Sequence, residues 1–153
     1  MLELIGNYNI FDLPKNSNEA LCITTNGMVK YNGKAVMGRG IAKQANELFH
    51  LDSKLGLYLK TYGNRAFNLG KTSENGYSIF TFPTKNKWQD DSDIELICKS
   101  AHELVEMCDK FHITKCYTVP PGCGCGNLNW EYTVKPFIKD ILDDRFTVII
   151  KTK

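Results

Sequence analysis

Short apolar runs alternate with segments of helical periodicity from one end of the chain to the other. The runs predict strands because they are short, rich in β-branched and aromatic residues, and bounded by turn residues. The other segments predict helices because their apolar residues recur every three or four positions. This order is typical of an α/β fold with a mostly parallel or mixed sheet covered on both faces. The predicted strands lie at 2–11, 20–24, 77–82, 113–119 and 146–151, and the predicted helices at 41–49, 51–62, 92–108 and 130–142.

Two details of the predicted helices depend on single residues. Ser92, followed by Glu95 three positions later, matches a capping box, in which the serine side chain accepts a hydrogen bond from a backbone amide of the first turn. Pro136 lies inside the last predicted helix, and an internal proline removes a backbone hydrogen bond. We therefore expect Ser92 to cap the third helix and the last helix to bend near Pro136.

The length and charge of the chain limit the class of protein. It has 153 residues, the size of one ordinary domain, and its 19 Lys and Arg exceed its 17 Asp and Glu by 2. Such a small excess is not that of a broad nucleic-acid-coating surface, although it allows a small local patch. The longest apolar runs, such as 148–150, are too short to span a membrane, and Glu3 and Asn7 interrupt the segment where a signal peptide would be apolar. We expect one domain over residues 1–153 that is cytoplasmic, monomeric and not membrane-associated.

Cysteine usage indicates reduced thiols. The chain has six cysteines, which are few for a disulfide framework in a protein of this length. Cys123 and Cys125 form a CxC pair, not the CxxC of zinc knuckles, and no second close Cys/His pair accompanies them. We therefore expect neither a metal site nor a cofactor, and we interpret this pair as small residues in a glycine-rich turn.

Two glycine-rich segments follow predicted strands and precede predicted helices. They are Met37-Gly38-Arg39-Gly40-Ile41, here called loop one, and Pro121-Gly122-Cys123-Gly124-Cys125-Gly126-Asn127, here called loop two. Glycine lets the backbone approach a ligand and direct several N–H groups at one anion, and a helix N-terminus adds free donors. Two such loops suit a diphosphate, although tight turns without a ligand remain an alternative. Neither loop is a Walker A or GxGxxG motif, so ATPase and nicotinamide-dehydrogenase functions lose support.

These loops and their neighbours resemble a macro domain, the ADP-ribose-binding family. Asn26-Gly27 and the segment 36–42 are similar to the family's first ligand loop, and 121–130 is similar to the second, which often reads GCGxGGLDW. Phe82-Pro83-Thr84-Lys85 followed by Trp88 resembles a narrower signature. It is shared by the DarG-type antitoxins, which remove ADP-ribose from thymine bases in DNA, and by the related terminal ADP-ribose protein glycohydrolase. The resemblance extends over most of the chain.

The resemblance implies a three-layer α/β/α fold with a central mixed sheet of about six strands. It also implies a ligand site in which amides of both loops surround the diphosphate and distal ribose. Asn26 would lie near the distal ribose, and Asn9 stands where the family usually has an Asp that reads the adenine amine. The ligand-binding residues implied in this way are Asn9, Thr24, Asn26, Met37, Gly38, Arg39, Gly40, Ile41, Pro121, Gly122, Cys123, Gly124, Cys125, Gly126, Asn127 and Asn129.

The same resemblance implies that Lys85 is the catalytic residue. A desolvated lysine can attack the ribose anomeric carbon and form a covalent intermediate, by way of an oxocarbenium-like state. From the residues alone, the favoured interpretation of Lys85 is a solvated loop lysine, as it is for Lys87. The chain departs from its subgroup at Asn129, where an Asp is common, and at Gly126, where the protein glycohydrolase has its catalytic Asp. Loop two therefore supplies no carboxylate as a general acid or base.

Three functions follow from the resemblance. The first is a hydrolase that removes ADP-ribose from a modified target, with single-stranded DNA carrying ADP-ribose on thymine ahead of protein adducts. The second is a phosphatase that acts on ADP-ribose 1″-phosphate. The third is a non-catalytic module that binds ADP-ribose, which the absence of an acidic residue at Asn129 favours. Trp88 either stacks on a nucleobase or adenine or packs under the loop that carries Lys85.

Overall fold

A computed structural model describes residues 1–152. The strands are β1 (Leu2–Ile5), β2 (Glu19–Asn26), β3 (Asn68–Lys71), β4 (Ser78–Lys85), β5 (Lys115–Thr118) and β6 (Phe146–Ile150). The helices are α1 (Gly40–Phe49), α2 (Asp52–Tyr62), α3 (Ile94–Lys110) and α4 (Lys135–Ile138). A 3₁₀ turn (Ile10–Asp12) follows β1, and a π-helical turn (Trp130–Val134) precedes α4.

The six strands form one mixed sheet in the order β1-β6-β5-β2-β4-β3. Every neighbouring pair is parallel except β3 and β4, which are antiparallel. The central strand β2 pairs with both β4 and β5, so the carboxyl ends of these three strands meet at one edge of the sheet. Ligands of α/β sheets bind at this kind of edge.

Side chains of the central strands alternate between two apolar cores, one on each face of the sheet. In β2, Ala20 and Cys22 face the core that contains α3, whereas Leu21 and Ile23 face the core that contains α1 and α2. All four are fully buried, as the period-two geometry of a strand covered on both faces requires. The expected three-layer α/β/α architecture with a six-stranded mixed sheet is therefore confirmed.

Four local predictions differ from the structure. The first strand ends at Ile5, and a separate 3₁₀ turn, capped by the Asn9 side chain, occupies the rest of the predicted span. The short strand β3 was not predicted from the sequence. The helix predicted at 130–142 is divided into the π turn and α4, where Pro136 lies in the first turn and needs no amide partner.

The fourth difference is the cap of α3, for which the prediction of Ser92 was wrong. The Asp93 side chain accepts hydrogen bonds from the amides of Glu95, at 2.9 Å, and Leu96, at 3.4 Å. Ser92 is instead buried, and its hydroxyl has no partner among the described residues. Asp is as good an N-cap as Ser, so neighbouring cap residues compete for the role and packing decides between them.

All six cysteines are free thiols within residues 1–152. In that same part of the chain, no helix combines the length and the hydrophobicity that a bilayer span requires.

Candidate functional site

A cleft of about 1210 Å³ opens at the carboxyl ends of β2, β4 and β5. Loop one and the start of α1 form one wall, and loop two forms the opposite wall. The ends of β2 and β4 form the floor, and the 3₁₀ turn with its flanking residues closes one end. This volume exceeds the usual upper range for small-molecule pockets, about 1,000 Å³, and suits an extended dinucleotide-sized ligand.

Loop one is held by the side chain of Asn26 at the end of β2. Asn26 Nδ2 donates to the Val36 carbonyl at 3.1 Å, and its Oδ1 accepts from the Met28 amide at 2.9 Å. Gly40 begins α1 with a φ of +56°, a left-handed conformation that favours glycine. Arg39 at the N-cap makes no side-chain capping bond, so within the described chain the first-turn amides keep free donors beside the cleft.

Loop two is compact and packs tightly on Ser92. Its ends are joined by a hydrogen bond from the Leu128 amide to the Gly122 carbonyl, at 2.9 Å. The Ser92 amide donates to the Gly126 carbonyl at 3.0 Å. A Cβ at Gly126 would collide with Ser92 Oγ and the Gly122 carbonyl. Glycine at 126 is therefore required by close approach inside the protein.

The two cysteines of loop two differ in environment. Cys123 is half-buried, and burial raises the pKa of its thiol to about 11. Its Sγ donates to the Pro121 carbonyl at 3.4 Å, whereas Cys125 is exposed. Cys123 is therefore a neutral thiol at pH 7, not a thiolate nucleophile.

Lys85 lies at the floor of the cleft because of an irregularity in β4. Thr25 pairs with Pro83 while Asn26 pairs with Lys85, so β4 has one extra residue at this point. Such a bulge re-aims the following side chain. The Lys85 side chain is buried, with 9% of the residue exposed, and Nζ donates to the carbonyls of Asp90 at 3.2 Å and Cys125 at 3.3 Å. Its amine thus lies where loop two meets the segment between β4 and α3.

One end of the cleft is apolar and aromatic. Tyr8, Phe11, Val119 and Ile149 line it, and these side chains suit the face of a purine. Asn9 lies at the same end, with its Oδ1 accepting from the Phe11 amide at 3.1 Å.

The structure brings most of the sequence-predicted site residues together at this cleft. The lining includes Asn9, Thr24, Asn26, Met37, Gly38, Arg39, Gly40, Ile41, Lys85, Gly122, Cys123, Gly124, Cys125 and Gly126.

Three predicted ligand residues, Pro121, Asn127 and Asn129, are not part of the described lining. Pro121 is buried at the start of loop two. Asn127, with a φ of +64°, directs its amide to Asp91 Oδ1 at 2.9 Å, and Asn129 caps the π turn by accepting from the Tyr132 amide at 2.8 Å. Both asparagine side chains are thus engaged in holding the local structure.

Other lining residues were not predicted as ligand contacts. Gln44 and Glu47 follow Gly40 at helical spacing and lie on the cleft side of α1. This spacing can be recognised in the sequence and could have identified both residues as lining residues. Thr84 and Ser92 also line the cleft. Trp88, for which the sequence left two roles open, lines the mouth of the cleft with 41% of the residue exposed.

No protein-family model and no curated protein matches the chain. Solved structures do match it. The macrodomain of Mycobacterium tuberculosis DarG superimposes with a TM-score of 0.77 at 22% identity, and that of Thermus aquaticus DarG with 0.74 at 24%, each over 99% of both chains. Thermosipho africanus DarTG in complex with ADP-ribose gives 0.71 at 20% identity, over 86% of this chain and 37% of that one.

The mixed six-stranded sheet, its two helical layers and the cleft at the strand ends therefore define a three-layer α/β/α fold. That fold is the macrodomain, and DarG macrodomains are among the structures that share it. The resemblance found in the sequence is confirmed at this level.

Proposed function

We propose that this protein binds ADP-ribose and hydrolyses its bond to a modified target, with Lys85 as the nucleophile. The observation that carries the proposal is the position of Lys85 Nζ, held by two carbonyls on the floor of the cleft between the glycine-rich loops. The likeness to DarTG, whose matched structure is a complex with ADP-ribose, supports the choice of ligand.

The cleft offers the donors that a diphosphate needs. Loop one leads into the N-terminus of α1, whose first-turn amides and dipole favour an anion. Loop two faces it with the exposed glycine backbone of Gly124. The diphosphate would lie between the two loops, the adenine at the aromatic end and the distal ribose toward Lys85.

Two carbonyls accept from Lys85 Nζ and hold it in one position on the floor of the cleft. In the proposed reaction Nζ, in its amine form, attacks the anomeric carbon of the distal ribose with its lone pair. The N–C bond forms as the bond to the target breaks, the target takes the bonding electrons, and a proton passes from the amine to the target or solvent. Water then attacks the same carbon, which releases ADP-ribose and restores the amine.

Loop two contributes no carboxylate to this chemistry, because Gly126 and Asn129 stand where related enzymes have acidic residues. In the proposed reaction, bond cleavage therefore depends on Lys85 and on water, and Glu47 of α1 is a carboxylate that also lines the cleft. The lack of a carboxylate in loop two favours a target that stabilises its own charge on departure, such as the ring nitrogen of a DNA base, over an alkoxide leaving group such as a serine side chain.

The test is a turnover assay on single-stranded DNA carrying ADP-ribose and, separately, on ADP-ribosylated protein. We expect Lys85→Ala to lower turnover at least about 100-fold while ADP-ribose affinity, measured by calorimetry, changes little. Lys87→Ala is the matched control, since Lys87 is exposed, lies two residues away and should leave turnover within about twofold. Equal rates for wild type and Lys85→Ala would falsify the lysine mechanism.

A second candidate is a non-catalytic reader of ADP-ribose. The observation that favours it is the lack of a carboxylate from loop two. Calorimetry distinguishes the two functions: ADP-ribose binding without turnover of either substrate indicates a reader, whereas binding with turnover indicates the hydrolase.

A further inference from the structure

An aromatic ring and a guanidinium group stack at the mouth of the cleft. The Arg39 Cζ lies 5.2 Å from the centroid of the Trp88 ring. The two residues come from different segments: Arg39 from loop one, and Trp88 from the connection between β4 and α3. The Trp88 backbone is anchored by its amide, which donates to Met28 Sδ at 3.4 Å. Arg39 is therefore positioned by loop one, and Trp88 by its own connection and by the contact with Met28.

This stack lies next to the position from which a leaving group must depart. Trp88 follows Lys85 by three residues, and the same connection supplies the Asp90 carbonyl that binds Lys85 Nζ. The group that Lys85 displaces is bonded to the carbon it attacks and departs from the face of the ribose opposite Nζ, which is the face turned from the floor toward the mouth of the cleft. Trp88 and Arg39 are the exposed planar groups on the Lys85 side of the mouth.

The chemistry of the stack favours a nucleobase. Bases stack on exposed aromatic rings whatever their sequence, and arginine extends such stacks. Arg39 has no carboxylate partner within residues 1–152. The N–H groups at the edge of its guanidinium are therefore available to donate to a phosphate. Exposed Asp90, Asp91 and Asp93 lie on the same connection and repel a long phosphate chain, which limits the contact to a base and its adjoining phosphate.

We propose that Trp88 and Arg39 form an acceptor subsite that stacks the nucleobase carrying ADP-ribose in a single-stranded nucleic acid. A base in a duplex has its faces covered by its neighbours, so only an unpaired base can join the stack. This inference rests on the proposed hydrolase function and adds to it the target side of the substrate.

The first experiment compares Trp88→Ala, Trp88→Phe and wild type on the two substrates. We expect Trp88→Ala to lower kcat/KM on ADP-ribosylated single-stranded DNA by about 5- to 150-fold, the usual effect of losing one base stack. Activity on ADP-ribosylated protein and affinity for free ADP-ribose should stay within about twofold. Trp88→Phe keeps a ring and should recover most of the loss. The control is Tyr31→Ala, which removes a fully exposed aromatic ring outside the lining of the cleft.

The second experiment needs no turnover. Trp88 and Trp130 are the two tryptophans of the chain, so Trp130→Phe leaves Trp88 as the one indole reporter. Trp130 contacts Glu3 and is outside the lining of the cleft, and circular dichroism should show that this variant folds. We expect saturable quenching of Trp88 emission by a short single-stranded oligonucleotide, tighter when it carries ADP-ribose.

Two results would overturn the subsite. One is the absence of quenching by both the plain and the modified strand, whatever the turnover assay shows. The other is a loss of free ADP-ribose affinity in Trp88→Ala as large as the loss on DNA, which would make the stack a lid over ADP-ribose. Failure of the hydrolase function gives a different pattern: wild type then turns over neither substrate, whether or not it binds ADP-ribose, while the oligonucleotide titration still decides whether the base stacks.

Discussion

At the scale of single residues, loop two shows how close packing restricts a position to glycine. At Gly126, an added Cβ would lie 2.9 Å from the Gly122 carbonyl carbon and closer still to Ser92 Oγ. At Gly124, an added Cβ meets nothing within 4 Å. The two glycines are two residues apart in the same loop, yet only one of them is required by the fold.

We therefore expect Gly126→Ala to lower the free energy of unfolding by about 1–3 kcal/mol, since overpacking forces the loop away from Ser92. Its affinity for ADP-ribose should fall as well, because the loop amides move. Gly124→Ala should change stability by no more than about 0.5 kcal/mol. Urea unfolding of both variants is the measurement, and equal losses in the two would contradict the packing described for this loop.

Residue type alone does not reveal which side chains are free to bind. Asn26 lines the cleft, but its two polar atoms are bonded to the Val36 carbonyl and the Met28 amide, so it shapes loop one. Asn129 likewise caps the π turn. Lys85, by contrast, places its amine in the cleft with only carbonyls as partners in the described chain.

At the scale of elements, the end of β4 and the start of α3 determine the floor of the cleft. The bulge opposite Thr25 and Asn26 turns Lys85, and the Asp93 amide then donates to the Thr84 carbonyl at 2.8 Å, which returns the chain toward α3. The hydrogen bond between Asp93 and Thr84 therefore links the start of α3 to the strand end that carries Lys85.

We expect Asp93→Ala to destabilise the protein by about 0.5–2 kcal/mol, because two first-turn amides of α3 lose their acceptor. Ser92→Ala should be neutral or slightly stabilising, since it removes a buried hydroxyl that has no partner within residues 1–152. Thermal unfolding monitored by circular dichroism compares the two. A larger loss in Ser92→Ala than in Asp93→Ala would mean that Ser92 is the cap after all.

At the scale of the whole molecule, ion pairs of Arg145 join the start of β6 to the end of α3. Arg145 contacts Asp109 at 2.8 Å and Asp143 at 2.7 Å. Its hydrogen bonds lower the pKa of the Asp143 carboxyl, and burial opposes this effect. Because the pKa is lower in the folded state, Asp143 stabilises the fold above the unfolded pKa of about 3.9, and this stabilisation is lost as the pH falls through the folded value.

We expect Asp143→Asn to reduce stability at pH 7 by less than about 1 kcal/mol, as for other exposed ion pairs. The difference from wild type should shrink as the pH falls below about 4, because wild type then loses the same charge. Urea unfolding at pH 7 and pH 3 measures it. Asp140→Asn is the control, since Asp140 is exposed and forms no ion pair among residues 1–152. A difference that grows toward low pH would contradict the lowered pKa.

The sequence by itself determined the two glycine-rich loops and the order of the elements other than β3, because apolar periodicity places strands and helices and glycine clusters mark loops. The choice of Lys85 came from the family resemblance of its segment. The tertiary structure decided that Gly40 and Gly122, 82 residues apart, line one cleft, because parallel pairing of β2 with β4 and β5 brings their carboxyl ends together. It also decided that Asp93 caps α3, that a bulge turns Lys85 inward and that Arg39 stacks on Trp88. The bulge and the stack depend on contacts between distant segments, and the choice of Asp93 over Ser92 as the cap depends on the packing of Ser92 against loop two. No local pattern encodes such contacts.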